Sequence, residues 1–77
     1  MQLYQPQVGD HVTFNGYIMP QVLWGNNTEP TMLTVGENYV IDKVVRHSSY
    51  TKVFLEGFVG DFNSVHFTPV DKWLYLA

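Results

Sequence analysis

Asp61, Ser64 and His66 lie within six positions and supply a carboxylate, a hydroxyl and an imidazole, the three groups of a hydrolytic triad. A serine two residues before the histidine on one short segment is badly placed for proton transfer, which needs the two side chains at hydrogen-bond distance. The chain also has no nucleophile elbow and no oxyanion loop beside this serine. We therefore expect no catalytic residues and a protein that is not an enzyme.

Metal and cofactor chemistry has no support in the sequence either. The chain lacks cysteine, and His11, His47 and His66 do not have the spacing of zinc ligands. Its 77 residues are 45% hydrophobic and 16% aromatic, which is sufficient for a dense core in a small domain. We expect a fold without a metal, a cofactor or a disulfide.

Three of the four basic residues, Lys43, Arg46 and Lys52, fall within ten positions around one predicted hairpin. With His47 and Tyr50 at its tip, this hairpin resembles loops whose cations meet phosphates while an aromatic ring stacks on a base. Charge that keeps a hairpin soluble is the simpler explanation. The net charge of −3 also opposes approach to a polyanion. Nucleic-acid binding through Lys43, Arg46, Tyr50 and Lys52 is therefore the alternative function.

Large apolar side chains exceed what the interior of one small β domain can hold. The excess consists of Tyr17, Ile18, Met19, Leu23, Trp24, Met32, Phe54, Trp73, Tyr75 and Leu76. Surface tryptophan, tyrosine and methionine are typical of the centres of protein interfaces. We predict a partner-binding surface made of Tyr17, Met19, Leu23, Trp24, Trp73 and Tyr75. A second small core, formed by the C-terminal segment over Trp24, is the alternative for the same residues.

The N-terminal residues MQLYQPQVGD contain neither the basic start nor the apolar stretch of a secretion signal. The longest apolar runs are far shorter than the roughly 20 residues that a membrane-spanning helix needs. We therefore expect a cytoplasmic protein that does not associate with a membrane.

The first half of the chain predicts a hairpin at one edge of a sheet. Apolar and polar residues alternate in HVTF (11–14), as in a half-buried strand. Asn15 and Gly16 form the usual sequence of a type I′ turn, so we expect this strand to pair with a second one over residues 17–24. Pro20 has no amide hydrogen for a ladder, which places that second strand at an edge or a bulge.

A further strand begins at Tyr39, where apolar residues recur with period two. An unbroken register would turn Lys43 toward the core, so we expect a β-bulge that turns Val44 inward instead. A reversal at residues 48–49 then leads into a strand over residues 51–55.

The stretch LEGFVGDFNSVHFTPV predicts the closure of the fold, because Gly57 and Gly60 allow sharp bends between phenylalanines. Residues 61–64 favour a 3₁₀ turn, residues 65–70 the closing strand, and residues 71–77 a final strand or a tail across the domain. The expected core consists of Val12, Phe14, Tyr39, Ile41, Val53, Leu55, Phe62 and Phe67.

This order of signals resembles that of small SH3-like barrel proteins of bacteriophages and their bacterial hosts. The resemblance depends on LTVGENYVI (33–41), on Val53, Leu55 and Gly57, and on GDFNS (60–64) followed by His66 and Phe67. It implies an all-β, SH3-like barrel of five or six strands over residues 1–77, with a one-turn 3₁₀ helix before the closing strand. Because such folds host many activities, it implies little about function.

The expected function is that of a non-enzymatic protein-binding module. The resemblance implies a phage origin, so we expect a small phage-encoded protein that binds a host protein and inhibits or modulates it. The partner is expected to be a host protein or a second copy of the chain, and the oligomeric state is left open. The aromatic segments outside the family-like half are where the contacts are expected.

Overall fold

The structure is a computed structural model that describes residues 5–70 of the chain. Within these residues there are five strands, one short helix and one 3₁₀ turn, in the order β1 (His11–Phe14), α1 (Met19–Leu23), β2 (Asn38–Arg46), β3 (Thr51–Leu55), β4 (Phe62–Asn63), the 3₁₀ turn (Ser64–His66) and β5 (Phe67–Pro69). The all-β class and a 3₁₀ turn before the closing strand are confirmed. The turn lies at Ser64–His66 and not over the predicted residues 61–64, because residues 62–63 pair with β3 as β4. Residues 71–77, predicted as a final strand or a tail, lie outside the described residues.

The strands form an antiparallel sheet in the order β4-β3-β2-β1-β5. β1 therefore lies between β2 and β5, and it pairs with β2 through Val12 and Tyr39 and with β5 through Phe14 and Phe67. The five strands agree with the five or six that the sequence predicts.

The predicted β-bulge is present in β2. Ile41 pairs with Leu55, but the next pair joins Lys43 to Phe54, so the register shifts between Ile41 and Lys43. The shift leaves Lys43 exposed and packs the half-buried Val44 against the core. A single extra residue thus keeps an ammonium group out of the interior.

The core matches the predicted set except at Tyr39. Val12, Phe14, Ile41, Val53, Leu55, Phe62 and Phe67 are buried and form one cluster, which Leu33 joins. Tyr39 is only half-buried, because its hydroxyl accepts a hydrogen bond from the Thr34 backbone amide (2.8 Å) and its ring packs edge-on against Phe58 (5.3 Å between centroids). Tyr39 therefore covers the rim of the core.

The predicted hairpin turn at Asn15 and Gly16 is wrong. β1 pairs with β2 and β5, and residues 15–37 form a long connection between β1 and β2. Gly16 has a φ of 91°, but Asn15 does not have the positive φ that a type I′ turn also requires there. The Asn15 backbone amide donates to the His66 carbonyl oxygen (2.8 Å), which directs the chain along β5.

The predicted edge strand over residues 17–24 is also wrong, because this segment contains helix α1. Pro20 occupies the first turn of α1, where a missing amide hydrogen costs no helical hydrogen bond. The Gln21 side chain accepts a hydrogen bond from the Ile18 backbone amide (3.1 Å), which satisfies one free donor at the helix start. Val22 is the buried residue of the helix.

Candidate protein-binding site

Helix α1 and its two capping residues present large apolar side chains to solvent. Four of them, Ile18, Met19, Leu23 and Trp24, are 60, 44, 65 and 51% exposed, and we call this set the α1 face. The buried Asn63 donates to the Gln21 carbonyl oxygen (2.9 Å) and so joins the helix to β4. Because the helix is anchored from its inner side, the α1 face remains turned outward.

The backbone at the C-terminal end of α1 is fixed as well. The Trp24 amide donates to the Pro20 carbonyl oxygen (3.1 Å), and the Trp24 carbonyl oxygen accepts from the Asn27 side-chain amide (2.7 Å). Gly25 and Asn26, with φ values of 99° and 56°, then reverse the chain. The tryptophan therefore has a constrained backbone and an exposed indole, which reduces the ordering cost of binding.

A groove of about 480 Å³ begins at Trp24. Four segments of the chain line it, namely the N-terminal arm, the end of α1, the β2–β3 hairpin and the region of the 3₁₀ turn. The lining residues are Gln5, Pro6, Trp24, Arg46, His47, Ser48, Ser49, Tyr50, Thr51, Asn63, Ser64, Val65 and Phe67. The groove is therefore lined both by Trp24 and by the tip of the β2–β3 hairpin, the hairpin in which the basic residues cluster.

Tyr50 holds the hairpin tip against the turn that follows α1. Its ring stacks on the His47 imidazole, with 4.5 Å between centroids and 23° between planes. The ring also lies so close to Gly25 that a Cβ there would be 2.5 Å from Tyr50 Cε2. Because Tyr50 already contacts both His47 and Gly25, its main role is structural, as part of the wall of the groove.

Of the three clustered cations, Arg46 alone lines the groove. Arg46 donates to the Gln5 side-chain oxygen (3.2 Å) and to the Pro6 carbonyl oxygen (2.6 Å). Lys43 lies over the Phe54 ring, 5.3 Å from its centroid, and Lys52 forms an ion pair with Asp61. The structure thus brings Arg46 and Tyr50 together with Trp24 and places Lys43 and Lys52 elsewhere.

Asp61 connects the loop after α1 to the sheet. Its carboxylate accepts hydrogen bonds from the Thr28 hydroxyl (2.9 Å) and from the Lys52 ammonium group. Burial acts to raise the pKa of Asp61, but these hydrogen bonds and the charge of Lys52 outweigh it and lower the pKa. The contribution of Asp61 to stability is therefore present at neutral pH and is lost only in acid, below its ordinary pKa of about 4.

Tyr17 packs inward, whereas Met19, Leu23 and Trp24 are exposed. Its ring packs against the core and meets the His66 imidazole edge-on at 6.1 Å, and its hydroxyl donates to the Glu29 carboxylate (2.7 Å). The bond to Glu29 raises the pKa of Tyr17. Trp73 and Tyr75, the remaining predicted contacts, lie outside the described residues.

His66 is buried with 1% of its surface exposed, a position that the sequence does not reveal. Within residues 5–70 neither ring nitrogen has a hydrogen-bond partner, and the imidazole is edge-on to the rings of Phe14, Tyr17 and Phe67. It therefore makes no hydrogen bond to Ser64 or Asp61. The triad-like spacing does not correspond to a triad in the structure.

We expect His66 to make stability depend on pH. Burial lowers the pKa of His66. Below about pH 6.5, the unfolded chain therefore binds a proton at this histidine more readily than the folded chain does. The free energy of unfolding should therefore decrease as the pH falls from 7 to 5, by at most about 1.4 kcal/mol per pH unit. Denaturant titrations across this range measure the slope.

The variant His66→Leu has a similar volume and removes two buried nitrogens that have no hydrogen-bond partner among residues 5–70. Each such nitrogen costs about 1–3 kcal/mol when unsatisfied. The variant should remove most of the slope and keep or increase stability at pH 7. His47→Leu, at an exposed histidine, is the control and should retain the slope. A slope that persists in His66→Leu would show that another group causes it.

Across residues 5–70 there is no group of three or more potential metal-ligating side chains. The same residues include no helix that is long and apolar enough to cross a membrane. Comparison of the chain with protein-family models, with curated proteins and with solved structures gave no match.

Proposed function

We propose that this protein is a non-enzymatic binding module that recognises another protein through the α1 face and the adjoining groove. The observation that supports this most directly is Trp24, an indole half exposed on a backbone fixed from both sides. In keeping with the resemblance noted in the sequence, we propose that it is phage-encoded and that it binds and modulates a host protein in the cytoplasm.

The α1 face has the composition of an interface centre. Tryptophan and methionine are enriched at such centres, and a cluster of exposed apolar side chains gains free energy when a partner covers it, at about 25 cal/mol per Å². The helix makes its inner contacts through Val22 and the Gln21 carbonyl, so these contacts do not use the exposed side chains. Binding through the α1 face therefore requires no rearrangement of the core.

Nucleic-acid binding, the second candidate, has less support from the geometry. A groove that follows a phosphate backbone uses several cations along its length. Here Lys52 is neutralised by Asp61 and Lys43 lies over Phe54, away from the groove residues. Tyr50, the ring proposed to stack on a base, is covered by His47 and Gly25.

The proposal is tested by placing the photoreactive residue p-benzoylphenylalanine at position 19 of the α1 face, which leaves Trp24 intact, and irradiating the protein in nuclease-treated bacterial lysate. We expect one discrete cross-linked protein from this position and from position 23. The matched control is position 59, where Val59 is 93% exposed and lies outside the groove. Equal cross-linking from all three positions would indicate non-specific apolar contact and contradict the proposal.

Trp24→Ala should then weaken binding to the captured protein about 30-fold, which corresponds to about 2 kcal/mol for an interface tryptophan. The fold should persist, since half of the side chain is already exposed. Titration calorimetry with the purified partner measures the affinity, and thermal melts verify the fold. An unchanged affinity would exclude Trp24 from the interface.

A further inference from the structure

The groove beside Trp24 has an uneven distribution of charge. The chain has seven acidic and four basic residues, yet among residues 5–70 none of those that line the groove is acidic. Arg46 and His47 both line it, at the end of β2 and the start of the hairpin. In an acidic protein, this is a local surface that attracts negative charge.

Arg46 has unused hydrogen-bonding capacity. Its two hydrogen bonds within residues 5–70 go to uncharged acceptors, the Gln5 side chain and the Pro6 carbonyl, whereas a guanidinium group has five N–H donors. Within the part of the chain described, residues 5–70, no carboxylate forms an ion pair with it. The two bonds hold the exposed side chain in place, so a ligand that pairs with it loses less side-chain entropy on binding.

The groove also offers apolar contacts. Trp24 lines it from the end of α1, and Val65, which is 50% exposed, lines it from the 3₁₀ turn. The hydroxyl groups of Ser48, Ser49 and Ser64 supply further donors and acceptors. A cation and exposed apolar surface thus occur in one groove of about 480 Å³.

We propose that the groove binds an extended segment of the partner protein in which an aspartate or glutamate adjoins a large apolar residue. The carboxylate pairs with Arg46, and the apolar side chain contacts Trp24 and Val65. This inference depends on the proposed binding function and specifies the chemistry of the segment that is recognised.

The choice of a carboxylate over a phosphate backbone follows from the number of cations. One guanidinium group matches one carboxylate through two parallel hydrogen bonds. A polyanion would need several cations in the groove, and neither Lys43 nor Lys52 lines it. A peptide with a single acid is therefore the occupant that this groove fits best.

The test uses a bead-bound library of random heptapeptides, screened with the full chain. We expect the retained peptides to be enriched in an aspartate or glutamate next to tryptophan, phenylalanine, leucine or methionine. Screening with Arg46→Gln should remove the acidic enrichment, and screening with Trp24→Ala should remove the apolar one. Retention of no peptide, or of peptides without acids, would overturn the proposal.

Affinities of one selected peptide, measured by fluorescence polarisation, make the test quantitative. Arg46→Gln, or replacing the acid in the peptide with its amide, should weaken binding about tenfold, the usual effect of losing a charge-assisted hydrogen bond. Arg46→Lys should be intermediate, because an ammonium group cannot pair in the bidentate manner. Lys43→Gln is the charge-matched control outside the groove and should change the affinity less than about twofold.

Two further outcomes separate this inference from the binding function on which it depends. A heptathymidylate that binds the groove, with affinity lost in Arg46→Gln, would replace the peptide as occupant and overturn the inference. If photo-cross-linking from the α1 face yields a protein partner but the library yields no acidic motif, the binding function is retained and the assignment of the groove is wrong.

Discussion

Replacing Phe62 with alanine is expected to lower the free energy of unfolding by about 3–5 kcal/mol. Phe62 has no exposed surface, lies on β4 opposite Val53 and belongs to the central cluster of the core. Its removal loses the transfer free energy of a phenyl ring and leaves a cavity. Since small domains have stabilities of about 5–15 kcal/mol, the variant should be close to unfolding.

Urea titrations of the parent and the variant measure this difference. Phe54→Ala is the matched control, because it removes the same ring from the outer side of β3, where Phe54 is half-buried beside Lys43. It should cost much less than Phe62→Ala. Equal losses in the two variants would mean that the ring of Phe62 is not packed as the structure describes.

Gly25→Ala is expected to destabilise the fold by about 2–4 kcal/mol, from backbone strain and steric overlap together. Gly25 has a φ of 99°, which a residue with a Cβ adopts only at a cost. A Cβ there would also lie 2.5–2.9 Å from three ring atoms of Tyr50. The substitution should therefore displace Tyr50 and disturb the groove as well as lower stability.

Gly57→Ala separates the two causes, because Gly57 has a similar φ of 83° and nothing within 4 Å of the added carbon. Gly57→Ala should therefore lose stability from backbone strain but not from steric overlap. In a Tyr50→Ala background, Gly25→Ala should cost about as much as Gly57→Ala, and this double-mutant cycle isolates the contact. If Gly25→Ala costs no more than Gly57→Ala with Tyr50 present, the close packing of the ring is refuted.

The sheet was largely predictable because its strands alternate in polarity. The alternation identifies β1, β2 and β3, and the misplacement of Lys43 in a regular register is enough to predict the bulge. The 3₁₀ turn was predictable from small polar residues between phenylalanines. These signals are local, so they do not depend on knowing which strands are neighbours.

The errors arose where a local signal fits two structures. Pro20 is compatible with an edge strand and with the first turn of a helix, and only the bonds at Ile18 and Asn63 decide for the helix. Asn15 and Gly16 suggest a tight hairpin, but the pairing of β1 with β5 determines their conformation. A short stretch of sequence does not indicate long-range contacts of this kind.

The sequence predicts which residue types form the candidate site, but it does not predict that they lie together. The excess of aromatic residues identifies Trp24 as a candidate contact, and the cluster of bases identifies Arg46. That the two residues line one groove depends on the packing of Tyr50 against Gly25, which joins segments far apart in the chain. His66 was missed because a histidine between a valine and a phenylalanine gives no signal of complete burial.

The pairing of β1 with a strand on each side has a consequence for how the chain folds. β2 and β3 are joined by residues 47–50 and can pair early, because closing a short loop costs little entropy. β1 pairs later, because residues 15–37 separate it from β2 and because its other partner, β5, is the last strand described. On the ribosome, β1 is synthesised first but cannot be paired on both sides until β5 has emerged. Until then Val12 and Phe14 are exposed on the nascent chain, and chaperones have their best opportunity to bind it.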